Sequence, residues 1–282
     1  MILYKYLSPE RVDVLRKCHI RYTQPKAFND PFEVSIYLEK LADDSRIDST
    51  LEEVLPQELR RAYESYPGLR DVMSYIQFEK LVVTNFGGNL KELLRKVSRQ
   101  MAPIFQETIN EKFNQLLGIL CLSETPDEEL MWAHYATGHM GFIVGFDSTH
   151  SYFNEQKSIS DELRHLRKVD YREKRPVLPM VELTGEEMFL VKSSKWAYEK
   201  EWRILRPLSE AMQFEDVHPY PIYLFSFPSG AIKSVILGCK IPDEVAKDII
   251  NILNMEHFRH VQIKQAILEK AEYQVSFKNI KG

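Results

Sequence analysis

The sequence predicts an α+β fold, with a mixed or antiparallel β-sheet core and a helical block inserted early in the chain. Two observations predict this class. Short apolar runs with strand character occur in a non-repeating order along most of the chain. A long stretch, from about residue 40 to 117, instead has the apolar spacing of amphipathic helices. With 282 residues, of which 44% are apolar, the chain is long enough to bury a substantial core.

The first forty residues predict two strands separated by a short helix. "MILYKYL" has the pattern of an opening strand, and "HIRYTQP" that of a second one. Between them, "SPERVDVLRKC" carries helix start signals, with Ser8 as a possible N-cap and Pro9 at the first helical position. "KAFNDPFE" is predicted to be a turn, because Asp30 precedes a proline and is biased away from helical backbone.

The segment from about 35 to 117 is predicted to be helical, with loops at "YPG" and "FGGN". Later apolar runs predict further strands, namely "GILCLSE", "MGFIVGFD", "KVDYR", "YEKEWRILRP", "YPIYLFSFP", "IKSVILGC", "VQIKQAILEK" and "EYQVSFKNI". Shorter helices are predicted over "TPDEELMWAHYATGH", "TGEEMFLVKSS" and "PDEVAKDIINILNMEHF". Since no repeat or low-complexity linker divides the sequence, we expect a single catalytic-type domain over 1–282, with 40–117 as a helical insertion.

Charge and cysteine content exclude several protein classes. The formal net charge of −4 and the isoelectric point near 6.1 argue against a general polyanion binder. A local exception is "RHLRKVDYREKRP", residues 164–176, which suits either a solvated connection or a nucleic-acid contact. Three dispersed cysteines predict no disulfide framework. Because the N-terminus carries neither a signal-peptide core nor an apolar span, we expect a cytoplasmic protein without membrane contact.

Tyr4 and Tyr6 are the first candidates for a ligand site. They share one face of the predicted opening strand, whereas Leu3 and Lys5 point the other way. The two rings could stack on a ligand and offer hydroxyls for hydrogen bonds, or they could simply cover an edge of the core.

The loop "FNDPFE" is the second candidate. Phe28 and Phe32 flank its polar turn residues and would anchor it. An anchored loop of this kind could present Asn29, Asp30 or Glu33 to a pocket.

The segment "MWAHYATGHMGFIVGFD" is the third candidate, because it concentrates Trp132, His134, Tyr135 and His139. Its two histidines are five residues apart, not the four of a helical zinc pair, and no acidic third ligand is placed to complete a site. We therefore predict no metal site. His134 remains open between a hydrogen-bonded core histidine and a catalytic group.

The segment "KSSKWAYEKEWRIL" is the fourth candidate. If it is an extended strand, Glu199, Glu201 and Arg203 share one face. Two carboxylates at this spacing suit a reaction that generates a cation, since one can stabilise the cation while the other handles a nucleophile. A solvated edge strand, with the glutamates paired to Lys195, Lys200 or Arg203, is the alternative.

The sequence contains no GxGxxG, no phosphate-binding P-loop, no GxSxG and no DxDxDG calcium loop. This removes the usual support for dinucleotide-binding Rossmann enzymes, kinases, hydrolase-fold esterases and calcium sensors. Two alternatives to a transferase stay open. One is a nuclease or glycosidase that uses Glu199 and Glu201 with His134. The other is a non-catalytic module that senses a nucleotide or a partner.

Together, "LYKY", "FNDPFE", "LMWAHYA" with the following "GFIVGFD", and "WAYEKEWR" resemble an uncharacterised bacterial family, catalogued as a domain of unknown function. The resemblance spans Leu3 to about Cys239 and leaves 40–117 unmatched. More distantly, that family resembles the DarT-type ADP-ribosyltransferases, toxins that modify nucleic acid. The motifs follow one another in a similar order along the chain. An N-terminal strand carries the first motif residue, a loop that binds NAD comes next, and a glutamate lies on a strand late in the sequence.

The distant resemblance implies a split β-sheet that clasps NAD as substrate. It places Glu201 as the catalytic glutamate, Glu199 as the upstream member of its pair, and Tyr6 or Tyr4 where a histidine or arginine usually stands. The resemblance extends NAD contacts to six further residues, namely Asn29, Asp30, Phe32, Trp132, His134 and Tyr135, and we add Arg203. It also implies a toxin or phage-defence effector that modifies nucleic acid or protein and is neutralised by an antitoxin protein.

We further expect the opening strand and the strand of Glu201 to be neighbours in one sheet and to border a common cleft. The helical block of 40–117 is expected to supply packing rather than catalytic groups, because its apolar positions are periodic and it contains no polar constellation.

Overall fold

The protein is described by a computed structural model that covers residues 1–280. The α+β class is confirmed, and the main sheet is mixed but mostly antiparallel. Eight strands form it in the order β13-β12-β11-β4-β1-β3-β8-β5. Their bounds are β1 Ile2–Leu7, β3 Leu117–Ser123, β4 Phe142–Asp147, β5 Arg167–Lys168, β8 Glu201–Pro207, β11 Ile232–Leu237, β12 Gln262–Leu268 and β13 Val275–Asn279. Within this sheet only β11 and β12 run parallel.

Two smaller sheets and seven α-helices complete the described part of the chain. Strands β2 (His19–Tyr22), β10 (Ile222–Ser226) and β9 (Gln213–Glu215) form one small sheet in that order, and β6 (Asp170–Arg172) pairs in parallel with β7 (Val191–Ser193). The helices are α1 Asp13–Lys17, α2 Asp44–Ser65, α3 Pro67–Val72, α4 Tyr75–Leu116, α5 Glu129–Tyr135, α6 Gly185–Phe189 and α7 Asp243–Leu253. No described helix is long and apolar enough to cross a membrane.

The chain divides into two compact units. One comprises residues 1–35, 111–175 and the chain from 185 onward, and it contains all three sheets. The other comprises 36–110 and 176–184, where α2, α3 and most of α4 lie. Helices therefore occupy the segment that was predicted to be helical, with the expected break at "YPG" between α2 and α3.

Four predicted boundaries are corrected, and the first is the helix expected over "TGEEMFLVKSS", which ends at Phe189 and is followed by β7 at Val191–Ser193. The expected loop at "FGGN" is absent, because α4 continues through Gly87 and Gly88. Each glycine costs a helix only about 1 kcal/mol, a penalty that a helix of this length can absorb. The segment "KVDYR" is split between β5 and β6, and the strand predicted over "YEKEWRILRP" begins only at Glu201.

Alternation along the strands separates two faces of the main sheet. One face carries the largest apolar cluster, which includes Leu3, Leu120, Ile204 and Phe142 with residues of α7. On the other face, a cluster around Trp132 covers the half that contains β1, β4 and β11. A third, smaller cluster covers the half that contains β3 and β8. The face of the sheet that points away from α7 therefore has two separate apolar patches.

The sheet splits between β1 and β3. Strand β1 pairs with β4 along its whole length, and β3 pairs with β8 over seven residue pairs, from Leu117↔Pro207 to Ser123↔Glu201. Between β1 and β3 the only pair is Tyr4↔Ser123. Past this point β3 bonds instead to the end of β2, through Thr23↔Ile119. Backbone pairing is thus lost where the two halves diverge, and a cleft opens there.

Candidate functional site

A cleft of about 240 Å³ occupies the split in the sheet. One wall comes from β1, with Tyr4, Lys5 and Tyr6, and another from residues 121–123 of β3. The "FNDPFE" loop, the segment around Trp196, residues 21–27 and two residues of the "MWAHY" segment also contribute to the lining. This volume lies slightly below the roughly 300–1,000 Å³ of typical small-molecule sites. The cleft can therefore enclose part of a nucleotide-sized ligand.

Both predicted glutamates line this cleft, but they do not lie on one strand as expected. Glu199 ends a 3-10 helix over Ser194–Glu199, and Glu201 begins β8. Lys200 between them adopts a left-handed conformation, with φ of 42°. This single reversal turns both carboxylates inward, where each is less than 5% exposed. The pair therefore depends on a turn, not on strand alternation.

Lys192 is the centre of a buried ion cluster. Its Nζ lies 2.9 Å from Glu201 Oε2 and 3.2 Å from Glu33 Oε2, and it also contacts Glu199. The ammonium also lies 5.2 Å from the ring centroid of Trp196. β7 supplies this lysine, and the following residues lead directly into the turn that carries the glutamates. The compensating cation thus comes from the same short segment as the carboxylates.

Arg203 is the second cation of the cluster and is completely buried. Its Nε donates to Glu201 Oε1 at 2.8 Å, and its guanidinium also contacts Glu33. A third donor nitrogen reaches the carbonyl of Phe189 at 2.6 Å. Arg203 therefore pairs with the glutamates, but it does not line the cleft, which corrects its expected role as an NAD contact.

The cluster sets three carboxylates against two cations, so it carries one excess negative charge. Burial opposes ionisation of Glu201, but Arg203 and Lys192 outweigh it and hold the pKa of that carboxyl well below its usual range. Burial raises the pKa of Glu33 to about 7 despite the opposing effect of Arg203. Burial also raises the pKa of Glu199. The pKa values of the three carboxyls are thus pushed apart. Carboxyls with separated pKa values can act as an acid–base set, in which Glu201 is ionised and one proton is held near neutral pH.

Hydrogen bonds fix the glutamate turn. Tyr135 Oη donates to Glu199 Oε1 at 2.7 Å, and Ser123 Oγ donates to the Glu199 carbonyl at 2.6 Å. The backbone amide of Glu201 donates to Tyr171 Oη at 2.9 Å. Groups from α5, β3 and β6 thus hold the Glu199 carboxylate and the backbone of the turn in place, which limits the freedom of the turn to relax away from a ligand.

The "FNDPFE" loop contributes its polar residues to the cleft and turns one phenylalanine away. Asp30 Oδ1 accepts from the Phe32 amide at 2.9 Å, and the Asp30 carbonyl accepts from the Glu33 amide at 3.0 Å. This turn aims Glu33 inward and leaves Phe32 69% exposed. Asn29 and Asp30 line the cleft. Phe32 does not, which corrects its expected role in the site.

Two residues of the "MWAHY" segment lie elsewhere than expected. Trp132 is fully buried; it donates to the Pro126 carbonyl at 2.8 Å and packs edge-on against Tyr6, so it is a core residue. His134 is exposed and contacts the rings of Tyr135 and Trp196 from outside the cleft lining. Neither side chain is positioned to touch a ligand in the cleft, whereas Tyr135 is.

The expected relation between the opening strand and the strand of Glu201 is half right. Both belong to one sheet, and Tyr6 and Glu201 border one cleft. They are not neighbours, because β3 runs between β1 and β8. Tyr6 is anchored through its hydroxyl, which donates to the Thr125 carbonyl at 2.7 Å. Its ring, rather than its hydroxyl, is thus the part available to a ligand.

Several site residues were not predicted, namely Lys5, Arg21, Cys121, Ser123, Lys192 and Trp196. Of these residues, Lys192 would have been the easiest to predict, because it lies at the start of the same sequence segment as the glutamates. Among residues 1–280, no group of three or more His, Cys, Asp or Glu side chains is arranged so that it could hold a metal ion.

The basic segment 164–176 is largely neutralised within the fold. Arg164 bonds to Asp161 and Glu210, and Lys168 Nζ lies 2.8 Å from Glu124. Arg172 likewise bonds to Asp170 and Glu187. The segment therefore does not present a continuous unpaired basic surface.

The left-handed turn at Lys200 yields a first prediction. Lys200→Gly should leave the free energy of unfolding within about 1 kcal/mol of wild type, because glycine adopts this conformation without strain. Lys200→Ile should destabilise by roughly 1–2 kcal/mol or more, since a branched side chain is disfavoured at positive φ. Chemical denaturation of both variants measures this. Equal stability of the two would contradict a role for the turn geometry.

Glu33 yields a second prediction, about pH. A carboxyl whose pKa rises from an ordinary 4.5 to about 7 on folding stabilises the fold fully below pH 4.5, and that contribution is lost as pH rises through 7. Relative to wild type, Glu33→Gln should therefore gain stability between pH 5 and 8, by at most about 3 kcal/mol. Thermal melts across this range test it, with Glu155→Gln, which removes a half-exposed carboxylate, as control. Parallel curves for wild type and Glu33→Gln would contradict it.

Comparison with known proteins gives one match. Residues 131–204 match a family model described as a protein of unknown function, DUF2971. No curated protein and no solved structure matched the chain. The matched segment includes most of α5, Lys192 and both glutamates of the turn. The resemblance to an uncharacterised domain family that the sequence motifs indicated is thus confirmed over residues 131–204.

Proposed function

We propose that this protein is an NAD-dependent ADP-ribosyltransferase whose active site is the cleft between β1 and β3. The observation that carries the proposal is the Glu199–Glu201 turn, which presents two buried carboxylates to the same cleft as the rings of Tyr4 and Tyr6. An acidic floor beside aromatic walls suits a ligand with a flat ring joined to a sugar that becomes cationic.

The proposed reaction breaks the bond between nicotinamide nitrogen and ribose C1′. The bonding electron pair goes to the nicotinamide ring, which loses its positive charge, and C1′ gains oxocarbenium character. Glu201 is the residue that faces this charge, because Arg203 and Lys192 keep it ionised throughout the physiological pH range. A preorganised buried charge of this kind needs no reorganisation as the cation develops.

The second half of the reaction needs a group that accepts a proton. A lone pair of the acceptor nucleophile forms the new bond to C1′, and the proton it releases passes to a carboxylate. Glu199 is the candidate base, because it lies one turn from Glu201 and its Oε1 is oriented by Tyr135. Glu33 shares Lys192 with Glu199 and can exchange the proton within the cluster.

The positions of two side chains favour this proposal over a nuclease or glycosidase that uses His134. His134 is exposed and outside the cleft lining, so it cannot act with Glu199 and Glu201. The space between the three carboxylates, where a nuclease would hold a metal ion, is taken by the ammonium of Lys192. A sensing module without chemistry remains the other candidate, and the assay below separates it from a transferase.

The acceptor, and a role as a toxin or phage-defence effector held in check by an antitoxin, belong to the same proposal. A nucleic-acid acceptor would have to approach over a surface other than the paired basic segment of 164–176. The proposal therefore includes protein as well as nucleic acid among the acceptors.

The test is to incubate the full chain with NAD and to measure free nicotinamide by mass spectrometry, alone and with added protein, RNA or DNA. We expect nicotinamide release, and an ADP-ribosyl adduct on one acceptor class. If the wild-type protein binds NAD but releases no nicotinamide with any acceptor, the sensing module replaces the transferase.

A further inference from the structure

Two cations of the cleft take no part in the ion cluster. Lys5 and Arg21 both line the cleft, and neither forms an ion pair with a carboxylate among the described residues. The third cation that lines the cleft, Lys192, forms ion pairs with three carboxylates. Unpaired cations in a largely buried position are costly unless a ligand compensates them.

Lys5 lies in the split itself. Its Nζ donates to the Cys121 carbonyl at 3.1 Å, across the gap where β1 and β3 are not paired. This hydrogen bond uses one of three ammonium protons and supplies no opposite charge. Burial lowers the pKa of Lys5, whereas Glu201 raises it. The ammonium therefore has donors to spare and lacks a close counter-ion.

Arg21 lines the cleft from β2 and lies near enough to Lys5 for its charge to lower the pKa of that lysine. Its Nε is buried without a hydrogen-bond partner, and the residue as a whole is only partly exposed. Burial lowers its pKa, as does the nearby Arg11, whose own guanidinium is paired with Asp13 at 3.1 Å. Lys5, Arg11 and Arg21 thus form a group of like charges, and the polar residues Thr23 and Asn29 line the same cleft.

We infer that Lys5 and Arg21 form an anion subsite that binds a phosphate group of a nucleotide ligand. A guanidinium and an ammonium that converge on one space match the several charged oxygens of a phosphate or pyrophosphate. The carboxylates Glu33, Glu199 and Glu201 line the same cleft and would repel an anion, so we expect the phosphate beside Lys5 and Arg21 and the sugar beside the carboxylates.

This inference deepens the proposed function and rests on it for the identity of the cleft as the substrate site. It adds a requirement that the chemistry alone does not impose, since nicotinamide riboside and NAD contain the same scissile bond. The protein should discriminate between them through the phosphate alone.

The test is isothermal titration calorimetry of the full chain with inorganic pyrophosphate, ADP-ribose and adenosine. We expect ADP-ribose and pyrophosphate to bind, and adenosine to bind much more weakly. Arg21→Gln and Lys5→Met should each weaken both phosphate ligands by roughly tenfold or more, the usual scale for a charge-assisted hydrogen bond. Arg46→Gln, which removes an exposed arginine of α2 outside the cleft lining, should not change binding. Thermal melts show which variants remain folded.

The outcomes separate the subsite from the reaction. Unchanged pyrophosphate and ADP-ribose affinity in both folded variants would overturn the subsite, as would equal binding of adenosine and ADP-ribose or no binding of either phosphate compound to wild type. Phosphate-dependent binding that follows Lys5 and Arg21, without nicotinamide release from NAD, would support the subsite and overturn the transferase instead. Nicotinamide release from NAD and nicotinamide riboside at equal rates would overturn the subsite and support the chemistry.

Discussion

Replacing Glu201 by glutamine is expected to slow nicotinamide release from NAD roughly 10²–10³-fold, the usual loss when one electrostatic contact to a transition state is deleted. The substitution keeps the size and most of the hydrogen-bonding capacity of the side chain but removes the charge that faces C1′ in the proposed reaction. The fold should survive, because the cluster starts with one carboxylate in excess. Without the charge of Glu201, two carboxylates, Glu33 and Glu199, remain beside two cations, Lys192 and Arg203. The charges of the cluster then balance.

Glu124→Gln is the matched control for this prediction. Glu124 is paired with Lys168 and accepts from Trp202 Nε1 at 2.8 Å, next to the site but outside the cleft lining. It should retain nearly full activity. Initial rates of nicotinamide release, measured beside a thermal melt of each variant, make the comparison. Full activity of a folded Glu201→Gln variant would remove Glu201 from the mechanism.

Replacing Lys192 by methionine is expected to produce the largest loss of stability, about 3–5 kcal/mol, as found when one partner of a buried ion pair is removed. Three buried carboxylates would then face Arg203 alone. Because their charged forms lose a counter-ion, their pKa values should rise, and protonation should relieve the repulsion. The loss should therefore be larger at pH 8 than at pH 5.5.

Two further variants sharpen this test. Lys195→Met removes an exposed lysine from the same segment and should change the free energy of unfolding by less than about 0.5 kcal/mol. Adding Glu33→Gln to Lys192→Met should recover part of the lost stability, because it removes one of the unpaired carboxylates. Urea denaturation at both pH values measures all three. A loss for Lys192→Met that is independent of pH and not relieved by Glu33→Gln would show that packing, not charge, explains it.

Most of the strands could be predicted because their apolar patterns match their buried faces. "GILCLSE" and "MGFIVGFD" became β3 and β4, and the helix at "MWAHY" became α5. One error lies where the length of a helix overrides the local preference of its residues. The loop expected at "FGGN" is helical because α4 extends far on both sides of its glycines.

The site was predictable as a set of residue types but not as a geometry. Glu199, Glu201, Tyr4 and Tyr135 were identified and do line one cleft. The left-handed residue that joins the glutamates was not foreseen, since lysine seldom adopts positive φ. Nothing in a single sequence indicates that Lys192 bonds three carboxylates.

The misassigned residues have a common physical cause. Trp132 and His134 are two positions apart on α5, which places them on opposite sides of the helix, one ring in the core and the other in solvent. Spacing alone could not decide which of the helix positions faces the cleft. The structure assigns that position to Tyr135, through its hydrogen bond to Glu199.

A crystal structure of the full-length Glu201→Gln variant with NAD tests the central claim most directly, because the slowed reaction should preserve the intact ligand. The account predicts the nicotinamide ribose in the cleft between β1 and β3, with C1′ within roughly 4 Å of the residue 201 side chain, the contact distance for a charge that stabilises it. NAD ordered at another site, or a cleft that stays empty at saturating NAD, would contradict it.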